Sequence, residues 1–212
     1  MASHSMNKIG KYLLEISVVV IGVAVTLSVS VWINHRNEKK DMSLYLNAIK
    51  LELEENMKVL DQAIEEMKPE VRYGIYLRSH DKQSLNEDSL RRYISVCYSF
   101  EIYTFKTNAF EMFKGSGLMR LMDKKELLIA IWDVYSELNT LKQGYDDHNS
   151  RKLNHMEKDF PLQGYGGEKM VLNVVPMYDF YINGFSYLYE TEKTLNDLKE
   201  VVSKLEETKL LK

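Results

Sequence analysis

From Leu13 to Ile33 the chain reads LLEISVVVIGVAVTLSVSVWI, an apolar run broken by one carboxylate, Glu15, near its start. About 20 such residues at 1.5 Å rise each cross the roughly 30 Å hydrocarbon core of a bilayer, whereas helices of soluble domains alternate apolar and polar faces. The run therefore predicts a transmembrane helix over residues 12–34, behind a short amino-terminal arm of residues 1–11. Tyr12 and Trp32 stand at its ends as interfacial anchors, because amphipathic rings favour the headgroup layer, and Lys8, Lys11, Arg36, Lys39 and Lys40 lie just outside. No second run of this kind follows, so the expected topology is single-pass.

A cleaved signal peptide is the rival reading, since Ser28 and Ser30 are small residues two apart behind an apolar stretch. The continuation through Val31, Trp32 and Ile33 suits an anchor better. Basic residues place the large domain in the cytoplasm if Lys8 and Lys11 are weighed against Arg36, Lys39, Lys40 and Lys50. A short arm with a free amino group, however, resists being carried across. The two arguments leave the side open.

Residues 35–212 suffice for one domain with a sizeable core. A net charge of -3 gives no electrostatic footprint for nucleic acid, and no such partner is expected. The single cysteine, Cys97, cannot form an internal disulfide and reads as a small buried side chain within YISVCYSF.

The periodicity is helical throughout. Leu46, Ile49, Leu53, Met57, Leu60, Ile64 and Met67 follow steps of three and four, with Glu52, Glu54, Glu55 and Lys58 assigned to the opposite face. With no helix breaker between Trp32 and Ile49, the span is expected to run on as a stalk helix over about residues 36–68 and to stop at Pro69. Asp88 reads as the N-cap of a helix carrying Leu90, Tyr93 and Cys97. A short helix over about 105–114 should end at Gly115-Ser116-Gly117, where glycine accepts the left-handed C-cap. Asp123 with Glu126 reads as a capping box opening a helix over about 123–159, weakened midway by Gly144. Residues 161–176 read as a loop with a short extended piece over 170–175. A last helix is expected over about 179–210. At about 50 Å each, the stalk and this helix match in length and suit antiparallel packing, which would return Lys204, Lys209 and Lys212 toward the headgroups. The fold class is thus all-α: one amino-terminal transmembrane helix continuing into a long stalk, packed with a helical bundle.

Glu15 has the most unusual setting, because an ionisable group inside a span faces protein, water or the interface. On a helical wheel Glu15, Gly22, Thr26 and Ser30 share a face, the last three spaced four apart as small residues that let helix backbones approach. This stripe is the candidate intramembrane helix contact. Two alternatives stand beside it: an oligomeric ion path lined by Glu15, Thr26 and Ser30, and a Glu15 that merely snorkels to the interface.

No cofactor or metal is expected. The segment Gln163 to Lys169 is glycine-rich but lacks the order that converges backbone N–H groups on phosphate. His148 and His155, with Asp147, Glu157 and Asp159 nearby, are interrupted by Arg151 and Lys152 and read as solvated helix surface. The tyrosines (14 of them) read mainly as the boundary of a helical core. No catalytic constellation stands out, and the chain reads as a non-enzyme.

Two patches carry a family resemblance. One is Lys11-Tyr12-Leu13-Leu14-Glu15-Ile16, an apolar run with Gly22, then tryptophan and Asn/Arg/Glu/Lys over residues 32–40. The other is Thr107 to Leu118, followed by Asp123 to Leu127 and Tyr135. Together they resemble an uncharacterised family of short bacterial inner-membrane proteins. That resemblance implies a helical domain outside the membrane, tilts the topology toward a periplasmic domain, and carries no functional residue. The expected function is a membrane-anchored interaction or scaffold protein that self-associates or binds a membrane partner. The alternative is a small oligomeric channel or signal transducer using Glu15.

Overall fold

A computed structural model of the chain describes residues 3–85, 87–159, 177–183 and 187–208. Among them every regular element is helical: α1 (Ser3–Arg78), α2 (Glu87–Tyr98), α3 (Asn108–Ser116), α4 (Lys125–Asp159), α5 (Tyr178–Asn183) and α6 (Leu188–Glu206), with 3-10 turns at Lys82–Ser84 and Leu118–Leu121. The all-α expectation holds. The glycine-rich segment 163–169, the extended piece 170–175, Lys209 and Lys212 lie outside the described residues.

The dominant element is α1, a 76-residue helix. Its amino-terminal part is long and apolar enough to cross a membrane, and none of that part is buried. Burial begins at Met42 and follows the anticipated stripe through Leu46, Ile49, Leu53, Leu60, Ile64 and Met67. Against it pack α3, α4 and α6. Lys50 of α1 lies 2.7 Å from Glu206 at the end of α6, whereas Tyr187, just before α6, borders the same cavity as Glu66 and Met67. The antiparallel packing of α1 and α6 therefore holds, although α6 has 19 residues rather than the length anticipated.

Pro69 does not stop the helix, which runs on to Arg78. An internal proline removes one hydrogen bond and crowds the preceding turn. Packing beyond it compensates, because Tyr73 and Leu77 are fully buried in a second apolar cluster with Leu90, Val96, Cys97, Met177, Phe180 and Tyr181. Six residues separate Met67 from Tyr73, about 240° around the helix at 100° per residue. The buried side of α1 changes there, and the sequence periodicity ends although the helix does not.

Other boundaries also move. The amide of Leu128 donates to the carbonyl of Lys124, which puts the cap of α4 at Lys124 rather than Asp123. α2 opens at Glu87, so Asp88 lies within its first turn rather than capping it. α3 begins at Asn108, three residues later than anticipated, and ends at Gly117 with φ 72°, as its glycine implied. The single last helix over 179–210 is two helices, α5 and α6, with Tyr187 outside both.

α4 runs unbroken through Gly144. A Cβ there would lie 2.6 Å from Cε1 of Tyr187, so only glycine lets that ring approach the helix.

Candidate functional site

The residues anticipated as an intramembrane contact fall on one exposed side of α1. Glu15, Gly22, Thr26 and Ser30 touch no other element, and a Cβ on Gly22 would meet nothing within 4 Å. Thr26 Oγ1 donates to the Gly22 carbonyl at 2.8 Å, which satisfies the hydroxyl within its own helix and keeps the stripe low. Tyr12 and Trp32 are exposed at its two ends, and the Arg36 guanidinium sits 5.8 Å from the Trp32 ring centroid.

Outside this segment, the chain from Ser99 to Lys106 is a strap in neither helix nor strand, held between α1 and α4. A piece without helix or strand partners must satisfy its backbone groups elsewhere. Side chains do this. Asn56 clamps Lys106, donating from Nδ2 to its carbonyl and accepting its N–H at Oδ1, both at 2.8 Å. Asn149 donates to the Glu101 carbonyl at 2.8 Å and Lys152 to the Ser99 carbonyl at 2.6 Å. Lys106 also pairs with Glu55.

Glu52 anchors the end of this strap. Placed on the exposed face by its sequence neighbours, it is instead buried, accepting from the Ala109 amide at 2.8 Å, the Phe110 amide at 3.4 Å and the Tyr135 hydroxyl at 2.6 Å. Thr107 makes no capping bond, so a carboxylate from α1 serves the positive end of α3. Burial and this carboxylate push the Tyr135 hydroxyl far above its ordinary pKa.

Further up, Glu70, His148 and Lys152 form a charged cluster between the two apolar clusters. Glu70 pairs with Lys152, whose side chain is 1% exposed, and Glu70 Oε2 lies 3.0 Å from His148 Nε2. An ionised carboxylate only accepts, so that nitrogen carries the proton. Burial pushes the Glu70 carboxyl up, but the His148 hydrogen bond and the Lys152 charge outweigh it and hold it below the usual carboxylate range. The expectation of a solvated surface fails for His148, and the interrupting Lys152 is itself buried, because Glu70 comes from a stretch of α1 not expected to be helical. Among the described residues no group of His, Cys, Asp and Glu is arranged to hold a metal ion.

Beside this cluster is a cavity of about 40 Å³ lined by Glu66, Tyr103, Tyr145, His148, Asn149 and Tyr187, among others. Tyr103 donates to Glu66 at 2.9 Å, and burial, reinforced by that carboxylate, pushes its hydroxyl well up. Burial likewise pushes Tyr145 up to about 12. The cavity has room for a few waters and is far below the roughly 300 Å³ of small-molecule sites. A larger open groove of about 780 Å³ lies between α1 and α3, bordered by Leu44, Ala48, Leu51 and Met112. No protein-family model, curated protein or solved structure matches the chain.

Proposed function

We propose that this protein is a single-pass, membrane-anchored helical interaction or scaffold protein that self-associates or binds a membrane partner. Glu15, Gly22, Thr26 and Ser30 form the intramembrane contact. The observation that carries this reading is the continuity of α1, which makes the apolar segment and the bundle's central helix one element. An apolar stretch with no contact to its own domain has its whole surface open to lipid and to other helices, and small residues at a spacing of four let a second backbone approach. The bacterial inner membrane, with the bundle on the periplasmic side, is the location proposed from the family resemblance and the short arm.

The test is the oligomeric size of the full-length protein in mild detergent, with and without Gly22→Leu. A wild-type oligomer that Gly22→Leu dissociates supports the reading, and an unaltered size counts against it. For topology, Cys97 is buried and silent, whereas Tyr189→Cys would place a thiol at a position 72% exposed. Labelling of that thiol in intact cells by a membrane-impermeant maleimide supports the periplasmic side.

A further inference from the structure

We infer that the partner of α1 is a second copy of this chain, lying parallel, and that their contact continues out of the membrane as far as Leu51. The inference rests on the anchor reading above and names its partner. Leu44 and Leu51 lie beyond the apolar segment yet are 60% and 54% exposed, with Ala48 between them along the groove shared with α3. With Ala48 and Met112 they line one apolar groove that no described residue covers. At 100° per residue, Gly22, Thr26, Ser30, Leu44, Ala48 and Leu51 fall within a sector of roughly 80° on one unbroken helix. The core stripe of Leu46, Ile49 and Leu53 lies on the far side of the same helix. The intramembrane stripe and the exposed leucines are therefore one face, about 44 Å long from Gly22 to Leu51.

Charge selects the occupant. Lys40 and Asp41 are exposed, sit at nearly the same height and flank this face on opposite sides, and among the described residues neither makes an ion pair. In a two-fold, parallel pair of helices, the left flank of one copy meets the right flank of the other. Lys40 of each copy then faces Asp41 of its mate, giving two symmetric pairs beside Leu44. Membrane anchoring favours this arrangement, because two copies inserted the same way present the same residues at the same depth. The groove beside Met112 leaves space for the second helix.

The experiment is disulfide trapping of the full-length protein in native membranes, using single cysteines added at exposed positions while buried Cys97 is left in place. Leu44→Cys and Leu51→Cys should form dimers at least about tenfold faster than Lys39→Cys and Asp61→Cys, which lie off the face, since a disulfide needs Cα atoms within about 7 Å. Asp41→Lys should slow trapping at Leu44→Cys, and the exchange Lys40→Asp with Asp41→Lys should restore it. Equal trapping on and off the face, no rescue by the exchange, or trapping only to a different protein would overturn the proposal. If Gly22→Leu dissociates an oligomer in which Leu44→Cys and Leu51→Cys never trap, the intramembrane contact stands and its extension falls. A wild-type chain that is monomeric in both membrane and detergent removes both.

Discussion

The hydroxyl of Tyr135 on α4 donates to Oε1 of Glu52 on α1 at 2.6 Å, and the same carboxylate receives two amides from the first turn of α3. One side chain thereby joins three helices at a buried point. Glu52→Ala leaves a hydroxyl and two amides without their acceptor and should cost about 3 kcal/mol, whereas Tyr135→Phe removes one donor and should cost about 1 to 2 kcal/mol. Urea unfolding of the full-length protein in detergent, followed by near-ultraviolet circular dichroism, checks the order. A Tyr135→Phe variant less stable than Glu52→Ala would contradict it.

The Glu70 cluster predicts a pH dependence. Its carboxyl is held below the ordinary value near 4.3, so the folded state binds this proton less readily than the unfolded chain. The resulting stability is fully present above the unfolded value and is lost as pH falls through the lower folded value. Melting temperature should therefore decline on acidification below about pH 4.5. Lys152→Met strands the buried Glu70 charge and should cost about 3 kcal/mol at neutral pH, with much of the loss recovered when Glu70→Leu is added. Thermal melts of the single and double variants across pH measure both effects.

Gly144 makes a sharper local test. Glycine to alanine inside a helix ordinarily gains about 1 kcal/mol, but here the added methyl meets the Tyr187 ring at 2.6 Å. Overpacking of this kind costs about 1 to 3 kcal/mol, so Gly144→Ala should be net destabilising. In a Tyr187→Ala background the same change should turn stabilising. The sign change, read from a double-mutant cycle, is the expected result.

What the sequence made legible was what depends on local pattern. The stripe from Leu46 to Met67 is buried except for the half-buried Met57, and Gly117 adopts the left-handed cap that its place after a short helix implied. Pairings between distant segments stayed hidden. Glu52 lies one position from Leu53 and three from Ile49, at the edge of the stripe, and only the arrival of the amides of α3 makes its burial tolerable. Lys152 and His148 have no local signal for burial, because Glu70 is 82 and 78 residues away in sequence. Adjacency to the apolar stripe was the one available cue for Glu52. For the charged cluster there was none short of knowing that α1 passes Pro69.

Pro69 lies where the two apolar clusters of α1 part, after Met67 and before Tyr73, with the Glu70 cluster between them. The proline takes one helical hydrogen bond from that junction, and a polar layer there contributes less apolar burial than the clusters on either side. The distal part, α2 and α5 with the end of α1, should therefore open as a unit before the main bundle does. Amide hydrogen exchange on the full-length protein should show residues of α2 exchanging through a subglobal opening, well below the protection of Leu46 to Leu60. Pro69→Ala restores the missing donor at an exposed position and should stabilise this junction by about 1 to 3 kcal/mol. The gain should appear selectively as slower exchange in α2 and at Tyr73 and Leu77. Uniform slowing along the whole bundle would mean that it unfolds as one cooperative unit and that the polar layer divides nothing.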